Sequence, residues 1–121
     1  MFMLVSTAVF VQGCVVAAVG AAAGGTVAYI KGDLETVESK HIDAVYKATE
    51  KAMEELGLTV SRKTKDAMSA VIVARDSQDK KIKIKLSATA EGTTKLSIRA
   101  GTFGNETKSR LIYEQIKKNL N

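Results

Sequence analysis

The run Lys81-Ile82-Lys83-Ile84-Lys85-Leu86-Ser87-Ala88 alternates strictly between polar and apolar side chains. Successive side chains of a β-strand point to opposite faces of a sheet, so this run predicts a strand with one buried and one solvated face. The run Lys95-Leu96-Ser97-Ile98-Arg99-Ala100 alternates in the same way. A hairpin through Ala90-Glu91-Gly92-Thr93 would join the two strands as antiparallel neighbours.

Weaker alternation on the amino-terminal side predicts further strands of the same sheet. It predicts one strand at residues 58–61 and another at residues 70–75, joined by a turn at 65–67. A second turn at 77–79 connects the latter strand to the run that begins at Lys81. A first strand is predicted at residues 29–37, where Gly32 indicates a bulge or a break.

Two amphipathic helices complete the pattern. The first spans about residues 41–56, with Ser39 as a candidate cap, Gly57 as the stop signal and Tyr46 at the border of the apolar face. The residues on its apolar face recur at three- and four-residue spacing: Ile42, Val45, Thr49, Ala52, Met53 and Leu56. The second helix begins near Asn105, and its apolar stripe consists of Leu111, Ile112, Ile116 and Leu120.

These elements predict an α+β fold with a two-layer architecture. The predicted order is β-α-β-β-β-β-α, with a mostly antiparallel sheet and both helices packed on one of its faces. The opposite sheet face is then left to solvent or to a partner. The loop Gly101-Thr102-Phe103-Gly104 joins the last strand to the last helix. We expect Phe103 to fill the core there and the two glycines to supply tight turns.

The amino-terminal segment differs in character from the rest of the chain. The chain has 121 residues, which is enough for one domain, yet residues 1–30 contain no charged side chain. Met1 to Phe10 is an apolar run of the length found in secretory signals, and Val11-Gln12-Gly13-Cys14 follows it. This arrangement resembles a bacterial lipobox, in which the cysteine thiol is alkylated with diacylglycerol and the bond before it is cut. The sequence therefore predicts a signal peptide at 1–13, a lipidated Cys14 leading an apolar Ala/Gly-rich tether at 14–28, and a folded domain at 29–121.

Alternatives to this processing stay open at the level of sequence. Secretory signals usually begin with Lys or Arg, but neither residue precedes the apolar run here. We expect either that the true start codon lies upstream or that the segment is not processed as a standard signal. Thirty uncharged residues also exceed the roughly 20 that span a bilayer, so a retained transmembrane helix is the competing prediction. A buried thiol is the structural alternative for Cys14.

No catalytic or metal-binding pattern is visible in the chain. One cysteine and one histidine exclude a disulfide framework within the chain, a multi-cysteine metal cluster and a multi-histidine metal site. His41 stands alone near a helix start, where a surface or capping role is the ordinary one, and general-base chemistry would need positioned partners. We therefore expect a non-enzymatic protein without a cofactor.

Charge is the one feature that points to a partner. Residues 61–121 hold 14 of the 18 Lys and Arg but only 6 of the 13 Asp and Glu. Alternation places five cations on the sheet face away from the helices: Lys81, Lys83, Lys85, Lys95 and Arg99. Lys63 and Arg75 are further candidates for this face. Such a face attracts anionic lipid headgroups or cell-wall polymers, whereas protection of the sheet against aggregation is the purely structural explanation. Nucleic acid is not expected as a partner, because these strands lack aromatic side chains on which bases stack.

Several of these segments together resemble a family of small bacterial lipoproteins whose domain has no assigned function. The similar segments are the lipobox, Tyr29-Ile30-Lys31-Gly32, the helix from Ile42 to Thr49, Glu55-Leu56-Gly57-Leu58, and the run from Ile98 to Gly104. The resemblance implies a domain held at a membrane of the cell envelope by the lipid on Cys14, and it says nothing about activity. From the basic sheet face we expect an anionic envelope component, or else a protein, as the partner. Val15 is not acidic, so in a Gram-negative cell we expect the periplasmic face of the outer membrane.

Overall fold

The computed structural model describes residues 27–90 and 92–120, which form one sheet and two helices. The strands are β1 Val27–Ile30, β2 Asp33–Glu38, β3 Thr59–Lys65, β4 Ser69–Arg75, β5 Lys81–Ala90 and β6 Thr93–Ala100. The helices are α1 Ile42–Glu55 and α2 Glu106–Leu120. None of these described helices is both long and apolar enough to cross a membrane. Cys14, the predicted signal peptide and nearly all of the predicted tether lie outside the described residues.

All six strands belong to one antiparallel sheet in the order β1-β2-β6-β5-β4-β3. Both helices pack on the same face of this sheet and against each other. The core lies between the two layers and contains Ile82, Ile84 and Leu86 from β5 together with Leu96 and Ile98 from β6. The predicted α+β class and the two-layer arrangement are confirmed.

The predicted first strand is two strands joined by a tight turn. Lys31 and Gly32 connect β1 to β2 with φ values of 49° and 91°, and Ile30 pairs with Asp33 across this two-residue loop. Positive φ at both positions is what a type I′ hairpin turn requires, so Gly32 marks a chain reversal. The order is therefore β-β-α-β-β-β-β-α, and β1 begins at Val27, inside the predicted tether.

Helix α1 begins and ends close to the predicted bounds, but its cap is different. His41, rather than Ser39, caps the helix, and its Nδ1 accepts a hydrogen bond from the backbone N–H of Asp43 at 3.1 Å. At the other end Gly57 has a φ of 71°, Leu58 N–H donates to Met53 O at 2.9 Å, and Gly57 N–H donates to Glu54 O at 3.1 Å. This pair of bonds is the Schellman motif, and it confirms Gly57 as the stop signal.

Helix α2 turns a slightly different stripe toward the core than the one predicted. Ile112, Tyr113 and Ile116 are buried, but Leu111 is 58% exposed. Helical geometry explains the difference, because residues three and four apart share a face and Leu111 lies one position out of phase with Ile112 and Ile116. Leu111 was predicted to lie in the core, and Tyr113 is buried there instead.

A small polar network crosses the core between β2 and α2. Glu38 is 8% exposed, and its Oε2 accepts hydrogen bonds from the Tyr113 hydroxyl at 2.6 Å and from Thr36 Oγ1 at 2.9 Å. Burial, followed by the bond to Glu38, raises the pKa of Tyr113 above its usual value. Because buried polar groups destabilise a protein when they lack partners, this network depends on all three side chains.

Candidate functional site

The register of the sheet brings the five predicted cations onto the face opposite the helices. Lys83 of β5 pairs with Arg99 of β6 and with Val73 of β4, and Lys85 pairs with Ser97. Residues that are paired across antiparallel strands point to the same side of a sheet. Since Ile82, Ile84 and Leu86 point into the core, Lys81, Lys83, Lys85, Lys95 and Arg99 all lie on the open face.

Two acids of β2 also lie on this face and pair with two of the five cations. Strand β2 lies beside β6, so that Glu35 pairs with Ser97 across the strands. Lys95 Nζ is 3.7 Å from Glu35 Oε1, and Arg99 Nη1 is 3.0 Å from Asp33 Oδ1. Alternation alone did not find these acids, because it does not show which strand lies next to β6.

Arg99 is a structural link between two loops. Its Nη1 also donates to Lys31 O at 3.0 Å, while its Nε and Nη2 donate to Thr102 O at 3.2 and 2.8 Å. The guanidinium group is thus occupied by the β1–β2 turn on one side and by the loop after β6 on the other. An external anion would have to displace these bonds, so Arg99 contributes positive potential to the open face but is a poor direct ligand.

Lys81, Lys83 and Lys85, which we call the β5 lysine row, are exposed and form no ion pair with the described residues. Alternate residues of a strand are about 7 Å apart, so the three ammonium groups follow one line. Lys83 lies directly opposite Arg99, and Lys81 lies directly opposite Arg75. Both arginines are already paired with acids of the chain, Arg99 with Asp33 and Arg75 with Asp79, whose Oδ1 is 3.8 Å from Arg75 Nε. The lysine row is therefore the part of the open face best suited to attract an anion.

A bulge in the edge strand β3 changes which of its cations reaches the open face. The register shifts between Val60 and Arg62, so that Arg62 pairs with Val73 and Lys63 pairs with the buried Ile72. Lys63 therefore lies on the helix side of the sheet, where its Nζ is 2.8 Å from Glu50 Oε2. The prediction that Lys63 joins the open face is wrong, and Arg62 takes that position.

The two glycine-containing motifs meet at one corner of the sheet. Gly32 and Gly104, with φ values of 91° and 87°, are in backbone contact, and a Cβ added to Gly104 would lie 2.5 Å from Gly32 Cα and 2.6 Å from the Tyr29 hydroxyl. Gly101 has a φ of 79°, which confirms that Gly101 and Gly104 supply tight turns. We call the contact of Gly32 with Gly104, together with Arg99, the glycine junction.

Phe103 does not fill the core, contrary to the prediction. It is 88% exposed, and the glycine junction fixes the backbone on both sides of it, since Phe103 O and Gly104 both lie against Gly32. The sequence gives no signal for this outcome, since an apolar residue between a strand and a helix is more often buried.

The turn between β4 and β5 is fixed at the same end of the sheet by Asp76. Its carboxyl oxygens accept hydrogen bonds from the Lys108 ammonium group and from the backbone N–H groups of Lys80 and Gln78. The Lys108 bond and then the Lys80 bond lower the pKa of Asp76 to about 2. Asp76 therefore links α2 to the turn that precedes Lys81.

The described residues contain no cluster of three or more His, Cys, Asp or Glu side chains that could hold a metal ion. His41, the only histidine of the chain, accepts the capping hydrogen bond of α1. The candidate site is thus a basic surface and not an enclosed pocket. Two concavities lie on it: one of about 300 Å³ is lined by Lys81, Lys83 and Arg99 among others, and one of about 210 Å³ is lined by Lys85, Lys95 and Ser97 among others.

Sequence comparison places the chain in a family. Among curated proteins, none matches the chain. The family model described as "Protein of unknown function (DUF3568)" matches residues 1–119, so the uncharged amino-terminal segment and the folded domain fall within one match. The chain therefore belongs to the DUF3568 family.

Proposed function

We propose that this chain is a lipid-anchored protein of the cell envelope that displays a small, non-enzymatic interaction domain. The observation that carries the proposal is the position of Cys14 directly after Val11-Gln12-Gly13, with an apolar run before it and the first strand beginning at Val27. One family match covers both the segment around Cys14 and the folded domain, which supports a shared role for these two parts of the chain. A mature lipoprotein cysteine carries three acyl chains, and several chains hold a protein at a membrane far more firmly than one.

Inhibition of the lipoprotein signal peptidase tests the anchor. With globomycin we expect a larger precursor to accumulate, and mass spectrometry of the untreated protein should find an acylated Cys14 at the mature terminus. Cys14→Ser is the matched control, because it removes the thiol and leaves the apolar run intact. A terminus that still begins at Met1, with no response to globomycin, would favour an uncleaved transmembrane helix instead.

A second function, binding of an anionic envelope component, is favoured by the β5 lysine row. Its three lysines are exposed and form no ion pair with the described residues, whereas the arginines opposite two of them are paired, Arg75 with Asp79 and Arg99 with Asp33. The local excess of positive charge therefore comes from the three lysines. Near an anionic membrane surface each lysine contributes about 1 kcal/mol of attraction. The candidate ligands are lipid headgroups and cell-wall polymers, both of which carry phosphate or carboxylate groups.

Charge removal on one face at a time tests this second function. For residues 27–121 we expect Lys81/Lys83/Lys85→Gln to weaken binding to anionic vesicles about 100-fold, because three attractions of about 1 kcal/mol are lost. Lys47/Lys51/Lys118→Gln removes the same charge from exposed positions on the helices and should change binding little. Equal losses in the two variants would show that only net charge matters, and the row would then not be a site. Circular dichroism checks that both variants are folded.

A further inference from the structure

Phe103 is a large apolar side chain that the fold holds in water. Two nitrogens of Arg99 donate to Thr102 O, and Gly104 on the other side is in backbone contact with Gly32. Neither neighbour can move without breaking these contacts, so the phenyl ring cannot easily turn back toward the core. Exposure of 88% is therefore a consequence of a rigid backbone and not of a loosely held loop.

The lysine row begins beside the loop that carries this ring. Gly101 N–H donates to Lys81 O at 2.7 Å, which joins the loop to the start of β5. The concavity of about 300 Å³ on the open face is lined by Lys81, Lys83, Arg99, Gly101 and Thr102, and Thr102 directly precedes Phe103 in the chain. Phe103 itself lines a second concavity of about 280 Å³ that shares Gly101 and Thr102 with the first and also contains Lys80 and Lys108. The cation-lined depression and the concavity that holds the exposed ring are therefore neighbours.

We propose that this corner, formed by Lys81, Lys83, Thr102 and Phe103 and called here the Phe103 corner, docks onto a bilayer of anionic phospholipid. The proposal rests on the anionic-surface function above and assigns it one partner. The ammonium groups would contact lipid phosphates, and the ring would enter the interfacial region, where aromatic side chains are favoured. A cell-wall polymer would use the cations but offers no apolar layer for the ring, so exposure of Phe103 beside the lysines favours the bilayer.

The geometry of the chain permits this contact with the membrane that carries the anchor. Val27 lies level with the middle of β5, because it pairs with Thr36, Thr36 pairs with Leu96, and Leu96 pairs with Leu86. The Phe103 corner is at the Lys81 end of β5, so about half the length of that strand separates it from Val27. Strand β5 has 10 residues and spans about 34 Å. The segment from Val15 to Thr26 can extend to at most about 40 Å. The chain between Cys14 and β1 is therefore long enough for the domain to lie with its open face toward the same bilayer.

The chain contains no tryptophan, so a single introduced indole reports on one position. In the full-length protein carried by phosphatidylglycerol–phosphatidylcholine vesicles, we expect the emission of Phe103→Trp to shift to shorter wavelength and to be quenched by brominated lipid. Met68→Trp is the matched control, because Met68 is 63% exposed and lies in the β3–β4 turn at the opposite end of the sheet. Its emission should stay that of an indole in water.

Two further conditions separate the inference from the function on which it rests. In pure phosphatidylcholine, and in the Lys81/Lys83/Lys85→Gln background, the shift of Phe103→Trp should be lost, because the ratio of docked to undocked protein falls about fivefold for each lysine removed. A Phe103→Trp emission that stays water-like in anionic vesicles overturns the docking of this corner, even if residues 27–121 still bind those vesicles through the row. Quenching of Met68→Trp to the same extent also overturns it. Failure of residues 27–121 to bind anionic vesicles at all would overturn the anionic-surface function itself.

Discussion

Gly104→Ala is expected to destabilise the domain by about 4 kcal/mol, which is close to the upper end for a single substitution. The added Cβ would lie 2.5 Å from both Cα and O of Gly32, and this neighbour is backbone that cannot rotate away. The φ of 87° adds the cost of a left-handed conformation, about 1–2 kcal/mol, to an overpacking cost of about 1–3 kcal/mol. Urea denaturation of residues 27–121 measures the effect as a loss in the free energy of unfolding.

Gly101→Ala provides the control for the conformational part of this cost. Gly101 lies in the same loop with a φ of 79°, but no atom lies within 4 Å of its added Cβ. We expect a loss of about 1 kcal/mol, from the left-handed backbone alone. If Gly104→Ala were no more destabilising than Gly101→Ala, the contact with Gly32 would be unimportant and the glycine junction would not be what holds Phe103 outward.

The residues of the glycine junction show how far sequence reasoning reaches at this corner. Gly32, Gly101 and Gly104 were each identified as turn or break residues, because glycine tolerates positive φ. Their meeting in space was not predictable, since Gly32 and Gly104 are far apart in the chain and touch only because β2 pairs with β6. The exposure of Phe103 follows from that contact, and the prediction that it is buried failed for the same reason.

The open face illustrates the same limit for charge. Alternation correctly placed Lys81, Lys83 and Lys85 opposite the core, because a period of two is a local property of a strand. Whether a cation is paired depends on its neighbours across the sheet, and Asp33 and Glu35 became neighbours of Arg99 and Lys95 only through the β2–β6 pairing. A one-residue bulge in β3 was enough to exchange Arg62 for Lys63, since a register shift of one residue moves a side chain to the other face.

The second large effect is expected at the buried network of Glu38 and Tyr113. Glu38→Ala should lower the free energy of unfolding by about 3 kcal/mol, because it leaves the hydroxyls of Tyr113 and Thr36 buried without their acceptor. Tyr113→Phe removes one donor and keeps the ring, so we expect a smaller loss of about 1.5 kcal/mol. Tyr46→Phe is the control: this half-buried tyrosine makes no hydroxyl hydrogen bond to the described residues, and its substitution should cost little.

A double-mutant cycle separates the bond from the packing around it. When Glu38→Ala and Tyr113→Phe are combined, the loss in the free energy of unfolding should be smaller than the sum of the two single losses by about 1 kcal/mol or more. The reason is that the carboxylate and the hydroxyl group are in direct contact. Additive losses would contradict the network, because they would mean that Glu38 and Tyr113 act on stability independently.

The pH dependence of the same pair has a defined sign. Burial and the bond to Glu38 raise the pKa of Tyr113 above its usual value of 10.0, so the folded protein keeps the hydroxyl proton at a pH where the unfolded chain has released it. This stabilisation is fully present below pH 10 and decreases as the pH rises above it. The stability difference between the wild type and Tyr113→Phe should therefore be constant at neutral pH and shrink above pH 10. A difference that grows in alkaline solution would mean that Tyr113 is ionised in the folded protein, which the buried bond to Glu38 does not allow.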